Sequence, residues 1–501
     1  MARERELKIV IDDPLAGLAD LAGGSLGSAE TRHIEDVYHD APDLRLARFG
    51  VTLRWREGDG WTVKLPIART ARALDRHELV IPGDAGWVPD AARALVAGYL
   101  RTAELVPVAT FSTTRTARPL LVDGVLVAEV TDDDVRADTG PRPGFAVGRR
   151  RVRFRELEIE LAPDADDDWL DRIAGVLPSG LVDGSTPPMP KLVRALGDDA
   201  LAPADVAQVA GRPATVESLV ARALAVETSA LLAALPLLRI DADATRPVHR
   251  ARVATRRLRA TLRAYGPLLD PSWAEPLRVE LGWLAAELGR LRDLDVIGVT
   301  LAERDWPDAV RTHLDRRRDE VRRDLLVHLV DGRAIDLYDA LVDAAAAPRM
   351  IEPGQPTDRV ARQVVAPVWK ALRRSVARLD ALADGPTDDL IEAHHEVRIR
   401  AKRVRYASDA VLDDHHQNPR DDEAAASFSA RARRIQNRLG PLNDAATAAQ
   451  WLADAAPAFD PESAFWAGRM VERLERDALA ELGDWRSEFE AMRAQRGWWK
   501  R

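Results

Sequence analysis

The feature that most constrains this chain is a change in its hydrophobic period. Up to about residue 197 the apolar residues come in short alternating runs, among them GVTLRWRE, GWTVKLPI, PLLVDGVLVAEV and RFRELEIEL, set apart by Gly, Pro and Asp clusters. A period of two places successive side chains on opposite faces, so these runs read as antiparallel strands. Helices are expected in this half only between Pro89 and Tyr99 and from Asp167 to Val176. Beyond about Thr215 the chain turns to long Ala/Leu/Arg segments with helical spacing and shows no convincing strand run up to Arg501. Residues 198–214, rich in small residues and bearing Pro, read as a linker. The expected fold is therefore α+β: an antiparallel β-tunnel or barrel with a few helices over residues 1–197, and an all-α bundle over 215–501.

The helical half repeats itself. HRARVATRRLR from His249 and HEVRIRAKRVR from His395 begin 146 residues apart and share a His followed by basic residues three, seven, eight and ten positions on. Each copy is trailed by a related segment, LGRLRDLDV from Leu288 and LGPLNDAAT from Leu439. Two similar halves follow from this pairing.

Charge narrows what such a chain can bind. The formal net charge is −9, which argues against nucleic acid as a partner coated by the whole surface, so any anion site must be local. Cysteine is absent, which excludes disulfides and thiol chemistry and fits a reducing compartment. The start of the chain, Met-Ala-Arg-Glu-Arg-Glu-Leu-Lys, has no apolar signal region behind it, and the most apolar stretch, Leu219 to Leu238, is broken by Arg222 and Glu227. A cytoplasmic protein without a membrane span is expected.

Local charge is patterned in both halves. Glu4, Glu6 and Lys8 alternate along one expected strand, and Glu156, Glu158 and Glu160 along another whose opposite face is Leu157, Ile159 and Leu161. Between them stand Arg54 and Arg56, Lys64, Arg115 and, near the end, Lys191. Closing such strands into a barrel gathers carboxylates suited to Mg²⁺ or Mn²⁺ and cations suited to phosphate in one lumen. Arg153 and Arg155 alternate out of step with the glutamates and belong on the exterior. In the helical half, His249, Arg252, Arg256, Arg259 and Arg263 share an arc of roughly 80° at 100° per residue. From Arg246 to Arg263 no acidic residue is available to neutralise them. His395, Arg398, Lys402 and Arg405 repeat the stripe above an apolar seam of Val397 and Val404, with Arg257 and Arg403 at the matching eighth offset.

The first half resembles the CYTH family, the triphosphate tunnel metalloenzymes, whose Glu-x-Glu-x-Lys signature stands here as Glu4, Glu6 and Lys8, followed in order by Tyr38-His-Asp40, LRWR, Lys64, Glu78, Arg115, Glu129 through Asp133, ELEIE and Lys191. The resemblance implies metal ligands at Glu4, Glu6, Glu158 and Glu160 with Asp133 or Glu129 in addition. It implies phosphate ligands at Lys8, Arg54, Arg56, Lys64, Arg115 and Lys191. Glu4, Glu6, Lys8, Glu158 and Glu160 then carry the catalytic roles. One departure is that Glu78 is followed by Val80 where many members have a second glutamate. The second half resembles the CHAD family, helical domains of two similar halves known for binding inorganic polyphosphate, through His249, Arg252, Arg256, Arg257, Arg259, Arg263, His395, Arg398, Lys402, Arg403 and Arg405.

Together these resemblances imply a Mg²⁺- or Mn²⁺-dependent triphosphatase acting on tripolyphosphate, with polyphosphate held by the helical half. A non-catalytic polyphosphate-binding protein associated with granules, and an adenylyl cyclase of the CYTH type, are the alternatives.

Overall fold

The computed structural model describes residues 2–11, 20–69, 73–144, 148–177, 189–206, 211, 213–241, 244–302, 304–356, 360–382, 386–412, 419–480, 482–495, 497 and 499. They form two compact units, residues 1–205 and 206–501.

The first unit is built on ten strands: β1 (Ala2–Ile11), β2 (Asp20–Leu21), β3 (Gly24–Leu26), β4 (Glu30–Asp40), β5 (Thr52–Arg56), β6 (Gly60–Arg69), β7 (Ala73–Ile81), β8 (Val106–Val122), β9 (Val125–Thr139) and β10 (Arg150–Leu161). All pairings are antiparallel, and eight strands run β8-β4-β5-β6-β7-β1-β10-β9 before β9 closes back on β8. The short β2 and β3 extend from β8 outside this ring. Closure leaves no free edge in the ring and gives each of its strands an inner and an outer face.

The outer faces are apolar where helices cover them. Trp61, Val63 and Leu65 of β6 are buried where helix α2 (Asp90–Leu100) packs on that strand. Leu7, Ile9, Leu157, Ile159 and Leu161 form one cluster with Leu170 and Ile173 of α3 (Asp168–Val176). These helices stand where the alternating pattern lapses. Three further helices were not expected: α1 (Arg45–Arg48), α4 (Lys191–Leu196) and α5 (Asp198–Leu201). Ala200 of α5 is fully packed, so the stretch from 198 onward begins as structured chain of the first unit rather than as linker; residues 207–210 and 212 lie outside the described residues.

One end of the barrel is filled. Tyr38, Phe111, Val135 and Ala137 project from the inner faces of β4, β8 and β9 and pack against Leu192 and Leu196 of α4. Exposure rises toward the other end along β7, from buried Arg76 through Glu78 to Val80, which is 57% exposed. The lumen is therefore closed by α4 at one end and open at the other.

Among the described residues the second unit is helical apart from two isolated β-bridges: α6 (Val216–Ile240), α7 (Thr245–Ala264), α8 (Pro271–Ala302), α9 (Asp308–His328), α10 (Gly332–Ala346), α11 (Val360–Ala381), α12 (Thr387–Leu412), α13 (Pro419–Arg438), α14 (Gly440–Ala455), α15 (Pro461–Ala480) and α16 (Trp485–Ala494). The duplication is visible as α6-α7-α8 packing against one another in the way α11-α12-α13 do, and the halves meet through α7 against α12 and α8 against α14. The copies differ at one point. LGRLRD lies inside the continuous α8, whereas LGPLND straddles the break between α13 and α14, where Pro441 cannot supply an interior backbone N–H and is seated in the first turn of α14 instead. Helix α6 is long and apolar enough to cross a membrane by length and composition, but 56% of that window is buried inside this unit, where the helix packs against α7 and α10.

Candidate functional site

Inside the barrel the even-numbered residues of β1 put Glu4, Glu6 and Lys8 in a row, and the register places Glu160 beside Glu6 and Glu158 beside Lys8. β5 adds Arg54 and Arg56, β6 Lys64, β7 Arg76 and Glu78, β8 Arg115, β9 Asp133 and β4 Asp36; Lys191 and Arg194 reach in from α4. Every expected lumen cation is thus inside, and each is paired with a carboxylate. Lys8 bonds Glu158 and lies 3.1 Å from Glu6. Arg56 donates to Asp36 at 2.8 and 3.1 Å, and Arg54 at 3.3 Å. Lys64 bonds Glu4 and lies 2.9 Å from Glu78. Arg115 holds Asp133 through two hydrogen bonds of 2.9 and 2.7 Å and reaches Glu158 at 2.6 Å, and Lys191 bonds Asp133 and lies 3.2 Å from Glu158. The lumen is a lattice of opposite charges rather than a pocket of positive charge alone.

Burial and pairing act in opposite directions on these groups. Burial alone would raise Glu4, but Lys64, Arg76 and Lys8 hold it down to about 2. Glu158 is likewise held well below the carboxylate range against its burial by Lys191, Lys8 and Arg115. Burial would lower Lys8, yet Glu158, Glu6 and Glu156 raise it. Glu156 is different. It is fully buried, and its carboxyl is pushed up to about 7 by burial, with the neighbouring Glu158 adding to the rise, against the pull of Lys8 and Lys191; its cationic neighbours Lys191 and Arg194 stand at 3.5 Å.

Asp133, Glu156 and Glu158 each offer an oxygen within 4.8 Å of the others, a donor set of hard oxygens that fits Mg²⁺ or Mn²⁺. The expected metal set overlaps this group only at Glu158 and Asp133. Glu4 and Glu6 are bridged instead by Arg76, and Glu160 is solvent-exposed beside Glu6 and Glu129. Glu156, Arg76, Asp36 and Arg194 escaped sequence reasoning as site residues. Arg153 and Arg155 lie outside, forked onto Asp134 and Asp132 across the β9–β10 register, as their alternation implied.

In the helical unit the two stripes converge. Burial and the nearby Arg398, Arg256, Arg252 and Arg405 push Lys402 down to about 7, and burial with Arg256 and Arg252 lowers Arg398 although Asp444 opposes them. Tyr406 lies under the guanidinium groups of both Arg405, at 4.3 Å, and Arg256, at 5.5 Å. A second group forms alongside. Arg263 is lowered by burial, Arg278, Arg259 and Arg400, and Arg403 is pushed down to about 10 by burial, Arg263, Arg400 and Arg278. Among the described residues, no carboxylate lies within 4.0 Å of Arg256, Arg259, Arg263, Lys402 or Arg403, whereas Arg257 turns off the stripe to bond Glu227 at 2.8 Å. His249 and His395 occupy equivalent places and are both lowered, first by burial; His395 bonds Asn443 and His249 faces Arg292, the equivalent position of the first copy. The duplication extends to Asp293, 3.6 Å from Arg252, and Asp444, which faces Arg398.

The role of the LG segment follows from the same geometry. A Cβ at Gly289 would stand 2.6 Å from Nη1 of Arg252, and one at Gly282 would stand 3.7 Å from Arg259, so these glycines let guanidinium groups lie against α8.

Comparison with known proteins agrees with this division. A CYTH domain matches residues 2–177 and a CHAD domain residues 222–453. The chain is a CYTH domain followed by a CHAD domain. Two uncharacterized proteins of Mycobacterium tuberculosis, from strains CDC 1551 and H37Rv, are each 31% identical to it over 473 residues, spanning 84% of this chain and 82% of theirs. Among solved structures, the CHAD domain from the plant Ricinus communis aligns with 58% of this chain and 94% of its own at 21% identity and a TM-score of 0.46. PptA from Streptomyces chartreusis aligns with 56% of this chain and 99% of its own at 22% identity and a TM-score of 0.42.

Proposed function

We propose that this CYTH–CHAD protein is a divalent-metal-dependent triphosphatase that hydrolyses tripolyphosphate in the CYTH tunnel, and that the CHAD domain holds inorganic polyphosphate. The observation that carries this reading is the lumen itself, in which Lys8, Arg54, Arg56, Lys64, Arg115 and Lys191 converge with carboxylates. A phosphate chain entering there offers each cation an oxygen in exchange for a carboxylate oxygen, so the cations remain in charge-assisted bonds throughout. Arg54 and Arg56, two apart on β5, present planar forks suited to adjacent phosphates. Asp133, Glu156 and Glu158 would hold Mg²⁺ or Mn²⁺, which supplies charge neutralisation at the phosphoryl group and acidifies a bound water. Because α4 fills one end, a linear chain enters terminal phosphate first, and short chains are favoured. In the CHAD domain, Arg252, Arg256, Arg259, Arg263, Arg398, Lys402 and Arg405 supply cations along a face long enough for successive phosphates. We further propose a cytoplasmic location with access to polyphosphate granules.

The test is phosphate release from tripolyphosphate by the full chain in Mg²⁺ or Mn²⁺. Release that is abolished by Glu158→Gln supports catalysis. Tight tripolyphosphate binding with no release under either metal supports the non-catalytic alternative, which Arg76 favours by holding Glu4 and Glu6. Cyclic AMP formation from ATP would identify a cyclase. Replacing Arg252, Arg256 and Arg259 together by Ser should weaken retention of long polyphosphate while leaving tripolyphosphate turnover in place.

A further inference from the structure

Beside the paired stripes, the two halves of the helical unit differ in charge. Residues of α7 and α12 correspond at an offset of 146, which carries buried Ala251 and Leu258 onto buried Val397 and Val404. Residues of α8 and α13 correspond at 151, the separation of Leu288 and Leu439, which carries buried Leu277, Leu281 and Leu284 onto buried Phe428, Ala432 and Ile435. On one flank Arg263 of α7 meets Arg400 and Arg403 of α12 and Arg278 of α8. The corresponding positions on the other flank are Asp409, Ala254, Arg257 and Ser429. Of four cations one is kept, and it is neutralised: Arg257 donates to Glu227 at 2.8 Å, while Asp409 accepts the Ser429 hydroxyl. Burial alone would lower Arg257, yet Glu227 and Asp409 raise it, whereas Arg403 at the equivalent place is pushed down to about 10 by burial, Arg263, Arg400 and Arg278.

Like charges held this close and partly out of water repel one another, and a polyanion relieves them. Arg278 has Glu275 at 2.9 Å and Arg400 has Glu396 at 3.1 Å, each a glutamate of its own helix. Arg263 and Arg403 have no carboxylate within 4.0 Å among the described residues. Arg259 joins this group to the stripe, since it lies on the same face of α7 between Arg256 and Arg263 and is lowered by burial and Arg278. We infer that a polyphosphate chain leaves the paired stripes along one flank only, across Arg259 and Arg263 to Arg403, Arg400 and Arg278, and that Asp409 and Glu227 close the other flank to it. Arg278 and Arg400, which have no basic counterpart in the other half, are then phosphate ligands, and the duplicated domain offers one track rather than two equivalent ones. The inference rests on the reading that the CHAD domain holds polyphosphate.

Fluorescence anisotropy of end-labelled polyphosphate of graded length with the full chain, over a range of salt, tests it. The parent should gain affinity with length until a chain spans both stripe and flank. Arg278→Gln with Arg400→Gln, which keeps good helix formers at both places, should match the parent on chains too short to reach the flank. On long chains it should lose about tenfold or more, as expected for two charge-assisted bonds, and its log–log salt dependence should be shallower by roughly 1.5 because fewer counterions are released. Arg257→Gln, on the other flank, should leave long-chain affinity within about twofold, as for an exposed ion pair, and the salt dependence unchanged. A double variant with the parent's long-chain affinity and salt dependence would overturn the inference and leave the polyphosphate reading standing. So would equal losses in Arg257→Gln and in the double variant, since the flanks would then be equivalent. A parent chain that binds polyphosphate of no length overturns the polyphosphate reading itself, and the inference with it.

Discussion

Lys402 gives the proposed polyphosphate site a pH dependence whose sign and size follow from its surroundings. It is half-buried on α12, facing Arg252 and Arg256 of α7 and Arg398 and Arg405 of its own helix, and desolvation with this crowd of like charges pushes its ammonium down to about 7. A bound polyphosphate brings negative charge to the cluster and favours the protonated form, so binding takes up a proton wherever free Lys402 is neutral. Affinity should therefore be highest below pH 7 and fall as pH rises through it, approaching tenfold per unit. With a free pKa of about 7 and a bound ammonium that stays protonated across the range, linkage gives a loss of roughly 25-fold between pH 6.5 and 8.5. Burial, first, and neighbouring arginines lower both His249 and His395 from the usual imidazole value. The assay is fluorescence anisotropy of end-labelled long-chain polyphosphate at constant ionic strength across pH 6.5–8.5. Lys402→Met should bind weakly with a flat profile, and Lys402→Arg tightly with a flat one. A Lys402→Met chain that retains the full slope would refute the reasoning.

Three further outcomes are expected. Gly289→Ala should raise the melting temperature, since alanine gains up to about 1 kcal/mol over glycine inside a helix, yet it should weaken polyphosphate binding several-fold because its methyl displaces the Arg252 guanidinium that lies 2.6 Å from the Cβ position; anisotropy and thermal melts on one preparation separate the two effects. Arg257→Ala should leave polyphosphate affinity within about twofold, as expected for an exposed ion pair, whereas Arg256→Ala should cut it about tenfold, within the range of a charge-assisted bond. Leu192→Ala should cost about 2–5 kcal/mol, the usual range for a buried leucine, and open the closed end of the tunnel, which denaturant unfolding and hydrogen exchange in α4 would register.

Much of the architecture was legible because period and charge coincided. Glu4-Glu6-Lys8 and Glu156-Glu158-Glu160 each share a face by strict alternation, and the outward arginines of β10 could be separated from them by parity alone. Arg76 was hidden because Leu74, Asp75, Arg76 and His77 are nearly all polar and show no alternation; its signal was only its place two residues before Glu78 on the same face. Asp36 had a better signal, the inner sequence Ile34, Asp36, Tyr38, but its significance depends on Arg56, which only the β4–β5 register brings opposite it, and on Arg54 one step along the same face. Glu156 lay on the recognised stripe, yet its grouping with Asp133 and Glu158 appears only when the β9–β10 pairing sets it opposite Asp133. Lys191 was legible as a cation of the lumen but not as part of a helix, because a six-residue helix after Pro190 is too short to show a period. In the helical half the repeat found both stripes. It also carried Arg257 along by its offset of eight, about 80° away from the stripe at 100° per residue, and the structure turns that residue toward Glu227.

Crystals of the full chain grown with Mn²⁺ and tripolyphosphate would test the central claim most directly, by anomalous scattering at the manganese edge. The expected result is a manganese peak coordinated by Asp133, Glu156 and Glu158, with the three phosphates lying along Lys8, Arg54, Arg56, Lys64, Arg115 and Lys191. Tripolyphosphate bound outside the barrel, with those six cations still paired to their carboxylates, would contradict the account.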